Sequence, residues 1–169
     1  MGPIDHPPLA IDPGAKYFGW ARGDWQTKRI TACGLHWMAN LHEWPPWFRP
    51  GAFHVIVETQ LPTKHDPATR KAILALARMV GACEARGATS ERVEVAMWKG
   101  QVHKKTSHKA ILAAMDADEL QLYHDTCNNY TGASKTGEYL INEELDLDSR
   151  YDVSHASGVL LWRFKRFVI

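Results

Sequence analysis

The run Leu9-Ala10-Ile11-Asp12-Pro13-Gly14 constrains this chain most. Three apolar residues end in a carboxylate, and Pro-Gly then forces a tight turn. A second apolar run, Tyr17 to Ala21, leads straight back. The pattern predicts a buried strand, a turn and an antiparallel return strand. Asp12 then ends the first strand, held on rigid backbone but reachable from solvent. A carboxylate in that position is costly unless it meets positive charge, and a divalent metal is one candidate. Such a strand end can also cradle a nucleotide phosphate, so the rest of the chain must decide.

At 169 residues the chain is long enough for one domain with its own core. Residues 1–7 are expected to form a disordered lead and 8–169 a single domain. No apolar run is long enough to span a membrane, and no basic-then-apolar leader opens the chain, so no membrane partner is expected. Cys33, Cys83 and Cys127 are odd in number and far apart, which argues against a disulfide framework and for a reducing cytoplasm. The net charge of +1 hides segregation. Residues 61–110 carry ten basic and four acidic side chains, whereas 111–152 carry two and ten. A basic middle beside an acidic later third can hold a polyanion on one face while the whole stays near neutral.

Arg29 to Trp37 reads as a third strand, completing an antiparallel meander. Met38 to Phe48, with Trp44, Trp47 and Pro45-Pro46, reads as a helical turn and loop whose aromatics cover the sheet. His54-Val55-Ile56-Val57-Glu58 is a continuous apolar run ending in a second carboxylate, as in a strand buried on both faces. Asp66-Pro67 caps and opens a helix to about Ala85, with Ile73, Leu76, Ala77, Val80, Gly81 and Glu84 on one stripe. Arg92 to Met97 alternates like a strand. Thr106 or Ser107 caps the next helix, whose buried stripe is Ile111, Leu112 and Met115. Residues 116–148 are acidic and weakly periodic, with one helical turn near Leu120 to His124 and loops elsewhere. Ser149-Arg150-Tyr151-Asp152 resembles a capping box that starts a final helix through Phe164. Asp152 and His155, three apart, project from one face of it. The predicted class is α/β: a mixed sheet, antiparallel meander first and parallel strands after, flanked by helices.

Asp12, Glu58 and Asp152 share a logic, since two end buried strands and the third opens a helix. If the first and fourth strands are neighbours, both strand carboxylates emerge together, and the last helix can bring Asp152 and His155 over them. Clustered carboxylates repel unless cations separate them. Two Mg²⁺ or Mn²⁺ ions about 3.5–4 Å apart are the usual arrangement in phosphodiester hydrolysis.

With these residues together, the chain resembles the RuvC-type Holliday junction resolvases of the ribonuclease H-like superfamily. The opening Asp-Pro-Gly hairpin, Ile56-Val57-Glu58-Thr59-Gln60, the helix after it, and Asp152-Val153-Ser154-His155-Ala156 follow that family's order. The resemblance covers most of 8–115 and 149–165. It implies a Mg²⁺-dependent endonuclease that nicks four-way DNA junctions symmetrically as a homodimer. Asp12, Glu58 and Asp152 take the metal-ligand positions, and His155 stands where the family usually has Asp, a softer donor that can favour Mn²⁺. Lys99 and Lys105 match two family lysines near the scissile phosphate, with Lys105 counted as catalytic. Lys64, Lys104 and Lys109 join them as expected phosphate contacts. Leu61 stands where relatives carry an aromatic wedge. Three alternatives remain: an actin-like or sugar-kinase ATPase, an RNA-processing nuclease of the YqgF type, and a non-catalytic junction-binding relative.

Overall fold

A computed structural model describes residues 5–38, 43–59, 67–100 and 102–167, with only the backbone described over 67–70. Five strands form one sheet in the order β3-β2-β1-β4-β5: β1 (Pro8–Pro13), β2 (Tyr17–Asp24), β3 (Arg29–Trp37), β4 (His54–Thr59) and β5 (Thr89–Glu94). β2 runs antiparallel to β1 and β3, whereas β1, β4 and β5 run parallel. A meander extended by parallel strands on the side of β1, with helices on both faces, is the ribonuclease H-like fold.

Strand parity decides which side chain serves which face. Leu9 and Ile11 of β1, with Val55 and Val57 of β4, pack with Met79, Val80 and Cys83 of α1 (Pro67–Arg86). Phe48 and Phe53 belong to that core, and Trp20, Trp44 and Trp47 pack against it. The Trp-rich segment is therefore mainly core on the α1 face. Its residues 39–42 and the expected cap Asp66 lie outside the described residues. Glu84 does not join the apolar stripe of α1, because it pairs with Arg92 of β5 at 2.6 Å.

Ala10 and Ile56 face the other way, into a second core built around α5 (Leu147–Arg163). β1 and β4 pair Leu9 with Val55, Ala10 with Ile56 and Ile11 with Val57. One step beyond stand Asp12 and Glu58, on the α5 face by parity.

Several expected boundaries move. β5 stops at Glu94, and Val95–Trp98 turns into a short helix, α2. The Val93/Val95 alternation is thus broken where the chain must bring Trp98 under the sheet. α3 (Lys104–Ala114) is capped by the His103 ring, which accepts from the Lys105 N–H, and not by Thr106 or Ser107. Residues 116–148 are far from loop-like: they form α4 (Ala117–Asn128) and the hairpin β6 (Tyr130–Ala133)–β7 (Tyr139–Glu143). Asp116 and Glu119 make a reciprocal capping box. Buried Glu119 also accepts from the Ile30 N–H at 2.7 Å and from both Arg166 amines, tying α4 to β3. α5 begins a turn earlier than expected, capped by Asp146 accepting from the Ser149 N–H. Of the expected lead, residues 1–4 lie outside the described residues, whereas the His6 and Pro7 carbonyls accept from Trp25 Nε1 and the His54 N–H.

α5 is buried almost all round from Tyr151 to Leu161, because α3 and α4 pack on it as well as the sheet. Small residues permit this. A Cβ on Gly19 would sit 2.2 Å from the Asp152 carbonyl oxygen. Gly19 pairs with Asp12 across β1 and β2, so its missing side chain lets α5 settle on the sheet beside the first carboxylate. Both clashing atoms are backbone and cannot yield. Gly19→Ala is expected to destabilise by about 1–3 kcal/mol or more, measured by denaturant unfolding, and a change within about 0.5 kcal/mol would contradict this packing.

Candidate active site

Four expected residues come together at the C-terminal end of β1 and β4. Asp12 Oδ2 lies 3.5 Å from His155 Nδ1. Glu58 is buried, accepts from the Trp98 indole N–H at 3.1 Å, and faces Lys99 Nζ at 3.4 Å. Lys99 Nζ also lies 3.3 Å from His155 Nδ1. Asp152, one turn before His155 on α5, faces Lys135 Nζ at 2.8 Å and Lys104 Nζ at 3.9 Å.

The hydrogen-bond directions fix the state of His155. Lysine has no acceptor, so Nδ1 must accept from Lys99 and Nε2 must carry the ring proton. Nε2–H then donates to Ser107 Oγ at 3.2 Å, while the Ser107 hydroxyl donates to the Lys104 carbonyl at 2.9 Å. The imidazole is neutral: burial first, then the Lys99 ammonium, push its pKa down to about 4. The Nδ1 lone pair thus meets the Lys99 ammonium, beside the Asp12 carboxyl.

The carboxyls move the other way. Burial, then the charge of Asp152, raise Asp12 to about 7. Burial, then Asp12, raise Glu58 to about 7. These are carboxyls short of positive charge in spite of Lys99, Lys104 and Lys135.

Three carboxylates and a neutral imidazole form a donor set suited to a hard or borderline divalent cation. In the arrangement seen, no three His, Cys, Asp or Glu side chains converge on one point among the described residues. Ammonium groups supply the local positive charge instead, with Lys99 between Glu58 and His155 and Lys135 against Asp152.

The expected DNA-contacting residues divide. Lys99 is buried inside the cluster. Lys104, Lys105 and Lys109 are exposed on α3, with Lys104 reaching toward Asp152. Leu61 and Lys64 lie outside the described residues. Sequence reasoning missed Trp98, Ser107 and Lys135. Lys135 carried a readable signal, since it and Arg150 are the two basic side chains among ten acidic ones in 111–152.

No protein-family profile matches the chain, and no curated protein matches it. Among solved structures, T. thermophilus RuvC in complex with a Holliday junction substrate aligns over 96% of this chain and 98% of its own, at 11% identity and a TM-score of 0.42. The fold is assigned from strand order and direction. No helix among the described residues is long and apolar enough to cross a membrane, and the three cysteines are free and buried.

The raised carboxyl pKa values set a pH dependence. Between about pH 4 and 7 the folded state retains protons on Asp12 and Glu58 that the unfolded chain has lost, so their contribution to stability falls as pH rises. His155 acts in the opposite sense between about 4 and 6.5. Asp12→Asn removes one falling contribution. Its stability relative to wild type is expected to grow from pH 4 to 8 in EDTA, by on the order of 1–3 kcal/mol. Denaturant unfolding across that range checks it, and a difference independent of pH would contradict the burial of a carboxyl at that position.

Proposed function

We propose that this protein is a metal-dependent, structure-selective DNA endonuclease that resolves four-way junctions by paired symmetric nicks, acting as a homodimer. The observation that carries the reading is that two strand-end carboxylates and the Asp152/His155 helical pair stand along one edge of a ribonuclease H-like sheet, with His155 beside Asp12. Asp12, Glu58, Asp152 and His155 are the residues that would hold Mg²⁺ or Mn²⁺. A divalent cation bound there supplies Lewis-acid stabilisation of the charge that builds on a phosphodiester under attack by water.

The chain's own groups do the rest. Asp12 and Glu58, raised toward neutrality, lose their protons readily when positive charge arrives beside them. Trp98 and Ser107 hold Glu58 and His155 in fixed orientation from behind. Lys99 offsets negative charge inside the site, and Lys104, Lys105 and Lys109 line an exposed stretch of α3 suited to phosphates on either side of the cut. The four-part motif order and the basic Trp98 to Lys109 segment are the features that favour a DNA junction as the substrate.

A non-catalytic, junction-binding relative is the second reading. It is favoured by the close pairing of Lys99 with Glu58 and of Lys135 with Asp152, which gives the carboxylates counter-charges without an ion. Incubation with a labelled four-way junction, a linear duplex and a structured RNA, in Mg²⁺, Mn²⁺ or EDTA, separates the readings. Paired nicks in the junction, with Asp12→Asn and Glu58→Gln each lowering the rate at least about 100-fold, are expected. Junction binding without nicking in any metal would favour the second reading, and cutting of RNA alone would overturn both.

His155 has its own test. His155→Asp is expected to raise activity in Mg²⁺ relative to Mn²⁺, because a harder donor replaces imidazole. An unchanged ratio, in a variant that still folds, would remove His155 from the ligand set.

A further inference from the structure

The β6–β7 hairpin comes from the acidic stretch, yet its tip delivers a lysine into the site. Lys135 Nζ lies 2.8 Å from Asp152 Oδ2 and over the Tyr17 ring, 4.8 Å from its centroid. The tip is ordered by its own bonds. The Ser134 N–H donates to the Glu138 carbonyl at 2.7 Å, the Gly137 N–H to the Ser134 carbonyl at 3.0 Å, and the Ser134 and Thr136 hydroxyls bond at 2.8 Å. Gly137 takes φ +84°, which favours glycine. The hairpin's base is anchored by buried Tyr130 and by the Leu145 N–H donating to the Cys127 carbonyl. Lys135 is thus placed by structure and not by chance reach.

We propose that Lys135 is a phosphate-contacting residue of this site, shared between Asp152 and the backbone of a bound nucleic acid. The proposal rests on the nuclease reading above. Three observations favour it. Lys135 stands nearer the rim: its side chain is 20% exposed, against 10% for Lys99. Asp152 is faced by two ammoniums, Lys135 at 2.8 Å and the more exposed Lys104 at 3.9 Å, so its charge is shared between two lysines. The surroundings also single it out. Arg150, the other basic group of 111–152, is occupied by Glu144, Asn128 and the Leu145 carbonyl. Glu138 and Glu143 are exposed and repel a polyanion from the rest of the hairpin region. A phosphate backbone approaching from α3 can therefore touch the hairpin at Lys135 and is repelled by the acidic groups around it.

The test is the salt dependence of four-way junction binding in EDTA for wild type, Lys135→Met, Lys135→Arg and Thr136→Ala, with a melting temperature for each. Lys135→Met is expected to weaken binding several-fold and reduce the log–log salt slope by about 1. Lys135→Arg should restore the slope. Thr136→Ala, which removes a hairpin hydrogen bond but no charge, should leave the slope unchanged. A Lys135→Met variant with a lowered melting temperature but a wild-type slope would make Lys135 a structural tie to Asp152 and overturn the proposal. Wild type that binds in EDTA and nicks when Mg²⁺ or Mn²⁺ is then added, with Lys135→Met binding indistinguishably from it, overturns this proposal alone. Wild type that binds without nicking overturns the nuclease reading, and the slope still decides the phosphate contact. Wild type that binds no nucleic acid overturns both.

Discussion

Three carboxylates held near one another at a largely buried edge of the sheet are the constraint to which the rest of this structure answers. Desolvation penalises each charge, and mutual repulsion penalises the set. The fold offsets both with directed groups: the Trp98 indole and Lys99 on Glu58, Lys135 and Lys104 against Asp152. Gly19 lets α5 approach the sheet closely enough for its carboxylate to join the other two. Even so, Asp12 and Glu58 remain short of positive charge. Stability sacrificed in this way is characteristic of sites that complete themselves with a ligand.

His155 gives the site its particular character. A fourth carboxylate would add further repulsion, whereas a neutral imidazole adds a lone pair without charge. The chain from the Lys104 carbonyl through Ser107, His155 and Lys99 to Glu58 orients that lone pair and links α3, α5 and the residue after α2 to the end of β4. Basic side chains near the site therefore have two duties. Lys99 is internal and neutralising, whereas Lys104, Lys105 and Lys109 are exposed.

Much of this was legible in the sequence because strands declare themselves through continuous or alternating apolar runs. β1 to β4 were readable in order, and strand parity alone assigns Asp12 and Glu58 to one face once the two strands pair. The Asp152/His155 spacing likewise follows from helical periodicity. What failed depended on tertiary context. Val93 and Val95 alternate as a strand does, but the chain turns helical after Glu94 to place Trp98 beneath Glu58. α4 was hidden by acidic composition, although Leu120, Tyr123 and Cys127 fall at helical spacing and Asp116 with Glu119 is a capping box. α5 looked amphipathic because its small residues read as neutral, and they are what allow helices and sheet to bury it on every side. Lys135 was readable as one of two basic side chains in an acidic stretch, but its place in the site depends on a hairpin that the sequence did not declare.

If Asp12, Glu58, Asp152 and His155 together bind a divalent cation, the lysines now beside them are stand-in counter-charges. Anomalous diffraction from crystals soaked in Mn²⁺ tests it most directly. A Mn²⁺ peak bonded to Asp12 and at least one of the other three residues is expected, with Lys99 or Lys135 Nζ withdrawn from its carboxylate. A map with no peak at the cluster and both lysines still paired with Glu58 and Asp152 would contradict it.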